Sequence, residues 1–312
     1  MGLRRRDFLK AAGLLGAGAA IDVCLGDLQR VYAQVIDGRK HLIWLVGSCD
    51  SGCTISWIQG TNPDLVDVIR EFRLVVDFNP TLMIPAGEEA MQALRSAASG
   101  TVPLDVLVVE GAVPQGYFCS LGENAGSPVP FENWVKRLAA RAKSVVAVGT
   151  CASYGGIPAA RPNPTNCRPV STVVSSKKVI NVPGCPAHPD WITLTLANVL
   201  SGISPALDGF NRPTAFFSEE VHENCPLEEN DDVYAPSFSQ PGCLRRLGCR
   251  GPITKADCPT RLWNNRTSFC ITGPIVGGQE LYPAGAPCIG CTEPGFPDPP
   301  FSPFYKQGPG DD

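Results

Sequence analysis

The sequence has no long basic patch, no run of about 20 apolar residues beyond its N-terminal segment, and almost no helix or strand period between residues 222 and 291. Without a concentrated basic face, nucleic acid is not an expected partner, and the net charge of −4 agrees. Without a spanning segment, any contact with a membrane has to come through a partner. Without a regular period, residues 222–291 need something other than a large apolar core to hold them, and bound metal can supply it.

Cysteine, by contrast, is abundant: 14 in 312 residues, beside 32 glycines and 30 prolines that mark many loops. The metal-capable residues of the last third run His222-x2-Cys225, Cys243-x5-Cys249, Cys258, Cys270, Cys288-x2-Cys291. Three readings fit such a segment. Disulfides staple small secreted domains. Structural zinc takes closed four-ligand sites. Iron–sulfur clusters take thiolates from CxxC and wider spacings, sometimes with a histidine. Spacing alone leaves all three open.

The N-terminus narrows them. Arg5-Arg6-Asp7-Phe8-Leu9-Lys10, followed by the soft apolar run Ala11–Ile21, reads as a twin-arginine export signal over residues 1–33, with Val31-Tyr32-Ala33 as the cleavage site. The plainer alternative is a basic amphipathic helix. That export route carries proteins already folded. Iron–sulfur clusters are built before export and must travel inside a fold, whereas a disulfide protein has no need of the route. The expected location is the periplasm or the outer face of the cytoplasmic membrane.

Residues 40–210 read as strands alternating with helices. Strands are expected at His41–Gly47, Arg73–Phe78, Leu104–Glu110, Ser144–Gly149 and Lys178–Val182. Helices are expected at Asn62–Phe72 (capped near Asn62, with Pro63 in its first turn), Glu88–Ala98, Phe131–Lys143 and Pro189–Leu200. The alternation predicts a doubly wound parallel sheet, in which function gathers past the C-terminal strand ends. Cys49 and Cys53, Glu110 with Cys119, and Cys151 all fall there, so a further ligand set is expected on this domain. Residues 211–312 form an irregular, loop-rich domain.

Together the motifs resemble the small subunit of nickel–iron hydrogenases over nearly the whole chain. They are Gly52-Cys53-Thr54, Val109-Glu110-Gly111, Gly149-Thr150-Cys151-Ala152-Ser153-Tyr154-Gly155-Gly156, Arg161-Pro162-Asn163-Pro164-Thr165, Pro183-Gly184-Cys185-Pro186, His222-Glu223-Asn224-Cys225, Gly248-Cys249-Arg250-Gly251-Pro252 and Cys288-Ile289-Gly290-Cys291. The resemblance implies a flavodoxin-like domain followed by an irregular cluster domain, with three iron–sulfur clusters in a row. It implies Cys53, Cys119 and Cys151 on the proximal cluster. It implies His222, Cys225, Cys243 and Cys249 on a four-iron distal cluster, and Cys258, Cys288 and Cys291 on the medial one. The implied partners are a large subunit holding the nickel–iron site and an external acceptor: a cytochrome, a quinone-linked protein or a carrier. The large subunit would hold all catalytic residues and oxidise H2.

Two positions depart from the family pattern. Where the family has CxxC after strand one, this chain has Cys49-Asp50-Ser51-Gly52-Cys53. Asp50 keeps the register of the first ligand and is favoured as a carboxylate ligand of a four-iron proximal cluster; Cys49, one residue away, is the alternative. Cys270 stands near a place where the family often has proline beside a three-iron medial cluster, and either supplies a fourth thiolate to a four-iron cluster or is a buried thiol. Cys24 lies in or beside the leader. Cys167 has no partner spacing, and the resemblance implies a structural role for Cys185. His41 and His188 read as surface or packing residues, and Glu110 as a supporting residue near a site. Two other readings stay open: an iron–sulfur electron carrier with no hydrogenase partner, and a disulfide- or zinc-stabilised binding protein.

Overall fold

The computed structural model of the chain describes residues 38–301 apart from 62, 228–232, 239, 241, 264–267, 271–272, 277–278 and 281–285. The segment read as an export leader, Cys24 and the expected Asn62 cap lie outside the described residues. The chain divides into two compact units between Pro213 and Thr214.

The first unit is built on five strands: β1 (Lys40–Val46), β2 (Leu74–Phe78), β3 (Val106–Glu110), β6 (Ser144–Val148) and β7 (Val179–Val182). β4 (Ser120–Asn124) and β5 (Ser127–Pro130) form a separate antiparallel pair between β3 and β6. The large sheet runs β2-β1-β3-β6-β7 and every pairing in it is parallel. Counted along the chain this is the flavodoxin-like order 2-1-3-4-5, whose switch point lies between β1 and β3. All five expected strands are present, each within a few residues of its expected bounds. All five residues of β3 are buried, as a central strand covered on both faces requires.

Helices cover both faces. They are α1 (Gly52–Ile58), α2 (Leu65–Glu71), α3 (Gly87–Ser99), α4 (Phe131–Arg141), α5 (Thr150–Tyr154), α6 (Gly156–Ala159) and α7 (Pro189–Leu200), with one further helical turn at Val170–Val173. On one face Ile43, Leu45, Leu107 and Val109 pack with Leu94 of α3 and with Trp134, Val135 and Leu138 of α4. On the other, Trp44 stacks on Trp57 of α1 at 5.0 Å, and the Trp57 indole N–H donates to Thr193 Oγ1 of α7 at 3.1 Å. Alternate residues of β1 therefore serve opposite layers, as the pleat dictates. α2 begins later than expected: Asp64 is its cap, and its carboxylate accepts the Asp67 N–H at 2.8 Å. Aspartate two residues past Asn62 competes for the same capping task and satisfies it.

The second unit has little regular structure. Among the described residues its elements are α8 (Thr214–Phe217), α9 (Cys258–Arg261), short 3-10 turns at Arg245–Leu247 and Gly251–Ile253, and a small antiparallel sheet of β8 (Ser268–Phe269), β9 (Gly273–Val276) and β10 (Gln279–Glu280). Local links hold it: Arg261 pairs with Asp257 at 2.5 Å and lies over the Phe216 ring, while Gly290, at φ 77°, leaves room for Phe301. Among the described residues, no helix is long and apolar enough to cross a membrane.

Leu107 is wholly buried in the central strand. Leu107→Ala is expected to destabilise the first unit by about 2–5 kcal/mol, read as a lower denaturation midpoint by circular dichroism.

Candidate metal centres

Past the end of β1 the chain stays tied to β3. Gly47 N–H donates to Glu110 O at 2.7 Å, and Ser48 and Ala112 exchange backbone bonds at 3.0 Å. A Cβ at Gly47 would lie 2.7 Å from both Ala112 O and the Phe131 ring, so this close approach needs glycine. Cys49 and Asp50 follow, Ser51 turns at φ 62°, and α1 starts at Gly52. The Asp50 carboxylate is exposed; its Oδ1 accepts the Gly52 N–H at 2.9 Å, leaving Oδ2 for a second bond.

Beneath this turn lies Glu110, 1% exposed at the end of β3. Its Oε1 accepts the Cys53 N–H at 2.9 Å and the Thr54 N–H at 3.2 Å. Its Oε2 accepts the Trp44 indole N–H at 2.8 Å and the Thr54 hydroxyl. One buried carboxylate thus fixes the first turn of α1, and with it the Cys53 thiol.

The ends of β6 and β7 are laced in the same way. Thr150 N–H donates to Gly184 O at 3.0 Å, and Gly184 N–H returns a bond to Thr150 Oγ1 at 2.8 Å. This sets Cys151 beside Cys185. The Ala187 N–H points at Cys53 Sγ from 3.5 Å. Glycine lines the thiols: a Cβ on Gly149 would sit 2.6 Å from Cys53 Sγ, one on Gly156 3.0 Å from Cys151 Sγ, and one on Gly111 2.9 Å from Cys49 Sγ.

The electrostatics identify which donors share a space. Burial pushes the Cys53 thiol well above its ordinary range, and Glu110, Cys151 and Cys185 add to that. Cys151 is pushed up to about 12 by burial and then by Cys185, Cys49 and Asp50. Cys185 is raised by burial and then by Asp50. Cys53, Cys151 and Cys185 therefore share one space, and both Asp50 and Cys49 reach it, Cys49 acting on Cys151 ahead of Asp50. Cys49 is itself raised to about 12, chiefly by burial, and Glu110 and Asp50 add to that. Cys119 is not in the group: its neighbour is the Cys167 thiol, with Cys49 beyond. The Gln115–Thr165 and Val113–Arg168 backbone bonds draw Cys119 toward the Cys167 loop. Motif and spacing give Cys185 no ligand role. Its Pro-Gly-Cys-Pro turn closes a parallel strand just as Gly-Thr-Cys closes β6, and that shared position is the signal that could have found it.

In the second unit His222 and Cys225 are linked by the Cys225 N–H to His222 O bond of 3.0 Å, and His222 N–H reaches Gly251 O at 3.3 Å. A Cβ on Gly251 would lie 3.5 Å from both Cys249 Sγ and His222 N, so glycine brings these donors close. The Cys249 thiol, raised chiefly by burial, also feels Cys243. His222, Cys225, Cys243 and Cys249 are thus one neighbourhood. Cys258, buried at the start of α9, is raised well above its ordinary range by burial and then by Cys291, Cys270 and Cys288. These four thiols are a second neighbourhood. The two are joined where Cys288 N–H donates to Cys249 Sγ at 3.3 Å.

These donor sets suit iron–sulfur clusters. Thiols lie against bare glycines where a cluster needs room, and their desolvation is what a thiolate bonded to metal escapes. Among the described residues no three donors close on a single ion. A cluster takes each ligand at a different metal atom and needs no such closure.

Known proteins match this chain in both of its units. Residues 49–199 match the family described as NADH ubiquinone oxidoreductase, 20 Kd subunit, and residues 217–305 match the family described as the C-terminal part of the NiFe/NiFeSe hydrogenase small subunit. The periplasmic [NiFeSe] hydrogenase small subunit of Desulfomicrobium baculatum is 36% identical over 98% of this chain and 99% of its own length. The uptake hydrogenase small subunit of Afipia carboxidovorans is 35% identical over 95% of this chain and 79% of its own. The solved Ni-Fe-Se hydrogenase of D. baculatum superposes with a TM-score of 0.77 over 86% of this chain and 100% of that chain, at 36% identity. The actinobacterial-type NiFe-hydrogenase of Ralstonia eutropha H16 does so with a TM-score of 0.74 over 87% of this chain and 83% of that chain, at 32% identity.

Thiols whose folded pKa is raised hold their protons more tightly than in the unfolded chain, so the stability they contribute is lost as pH rises through the folded value. For Cys49 and Cys151, raised from 9.0 to about 12, the metal-free fold is expected to weaken progressively across that window. Denaturation midpoints of the metal-free chain at increasing pH measure it.

Proposed function

The chain belongs to the nickel–iron hydrogenase small-subunit family, and from that premise we propose how its donors are used. The protein is the electron-transferring subunit of a hydrogen:acceptor oxidoreductase and works with a large subunit, where hydrogen is oxidised. The match at both family regions removes support for a stand-alone carrier.

The finer assignment is our own reading. Three groups of donors hold three iron–sulfur clusters, which when bound supply one-electron acceptance and release. Asp50, Cys53, Cys151 and Cys185 hold the proximal one, with an aspartate oxygen where the family has a thiolate. An oxygen ligand donates less electron density than thiolate, which is a lever on potential. His222, Cys225, Cys243 and Cys249 hold the distal cluster, the histidine through a ring nitrogen. Cys258, Cys270, Cys288 and Cys291 hold the medial one as a four-iron site. The electrostatic closeness of Cys270 to Cys258 supports that count. Glu110 serves the proximal site by fixing Cys53 and Thr54 rather than by touching metal. Cys119 is a bystander of the relay, and Cys49, which also acts on Cys151, is the alternative to Asp50.

The observation that carries this reading is the mutual closeness of Asp50, Cys53, Cys151 and Cys185 at the sheet's C-terminal edge. The twin-arginine leader delivers the folded heterodimer across the cytoplasmic membrane, in keeping with the relatives named periplasmic. Electrons leave to an acceptor outside the heterodimer.

Ligand roles separate by iron content. Cys185→Ser is expected to lower the iron of the purified heterodimer by about one cluster and abolish the proximal EPR signal. Cys119→Ser leaves both intact. Asp50→Ala alters the proximal Mössbauer and EPR spectra; an unchanged spectrum removes Asp50 as a ligand. Oxidised wild-type enzyme shows no three-iron EPR signal, and the appearance of one would remove Cys270 from the medial set.

A further inference from the structure

Arg212, Arg250 and Arg261 are almost wholly buried. Two of them have an evident anion: Arg212 Nε lies 2.7 Å from Asp208, and Arg261 Nη2 lies 2.5 Å from Asp257. Arg250 differs. Among the described residues no carboxylate forms an ion pair with it, and its buried Nε has no hydrogen-bond partner. A guanidinium cannot discharge itself by losing a proton. Buried charges are held by partners, because an uncompensated one disfavours the fold.

The backbone shows where that partner belongs. Arg250 N–H donates to Cys288 O at 2.7 Å, and Cys288 N–H donates to Cys249 Sγ at 3.3 Å. Arg250 therefore stands at the seam between the donor set of Cys249 and that of Cys288.

We infer that Arg250 is a positioning charge of the electron relay: a buried cation held as counter-ion to thiolate-bound iron, raising the reduction potential of the cluster carried by Cys249. The inference rests on the cluster assignment proposed above. A fixed positive charge stabilises the more negative, reduced state, and local charge is one of the terms that set cluster potentials.

The test is an EPR-monitored potential titration of the purified heterodimer, with iron counted in the same samples. Arg250→Met, which keeps the stem and drops the charge, is expected to shift the oxidised-to-reduced ratio of the distal cluster about tenfold toward oxidised at fixed potential. For one electron this is a fall of about 59 mV. Arg250→Lys is expected to keep most of the wild-type value. Full iron with an unmoved midpoint in Arg250→Met overturns the inference, and so does an equal shift in the lysine variant, since shape rather than charge would then be at work. Should the methionine variant come out short of iron, Arg250→Gln carries the same comparison. Wild-type enzyme with no iron–sulfur signal would instead defeat the cluster assignment itself.

Discussion

One buried carboxylate organises the first unit's chemistry. Glu110 ends the central strand and accepts the N–H groups of Cys53 and Thr54, the Thr54 hydroxyl and the Trp44 indole. Each of those donors would be costly to bury unmet. Joined on one acceptor, they tie β1, β3 and α1 into a single rigid corner. Burial chiefly keeps the neighbouring thiols protonated in the absence of metal, and this carboxylate adds to it. One side chain thus sets the geometry and reinforces the protonation.

The second unit is held together differently. It has short helices and scattered strands, and its donors are positioned by single backbone bonds, glycine contacts and ion pairs. Such links close small loops and do not bury much apolar surface. Bound metal adds the missing free energy, since a site absent from the unfolded chain converts binding into folding. Arg250 belongs to this scheme as a charge that makes sense only beside an anion.

The sheet was legible because its signals are local. Short apolar runs ending in glycine mark β1, β3, β6 and β7, and the intervening amphipathic stretches mark α3, α4 and α7. Less legible were α1, which follows a non-glycine residue at positive φ, and the β4–β5 pair, whose Ser120-to-Pro130 register is irregular. Among the candidate donors, those with motif spacing stood out in the sequence, as in His222-x2-Cys225 and Cys288-x2-Cys291. Which of Cys119 and Cys185 lies beside Cys53 and Cys151 did not. It depends on which loops are laced across the sheet edge, through Thr150–Gly184 in one case and Gln115–Thr165 in the other. Such lacing is a tertiary property and leaves no periodicity behind. Arg250 was equally silent, because a cation beside a cysteine looks the same in sequence whether solvated or enclosed.

The two lacings past the strand ends also govern timing. Asp50 and Cys185 stand at opposite ends of the first unit's sequence, and they meet only once β1, β3, β6 and β7 lie side by side. Parallel strands of this kind assemble late, because distant stretches must find each other before any bond rewards the search. A nascent chain therefore has no finished donor group at this edge until the sheet itself is complete.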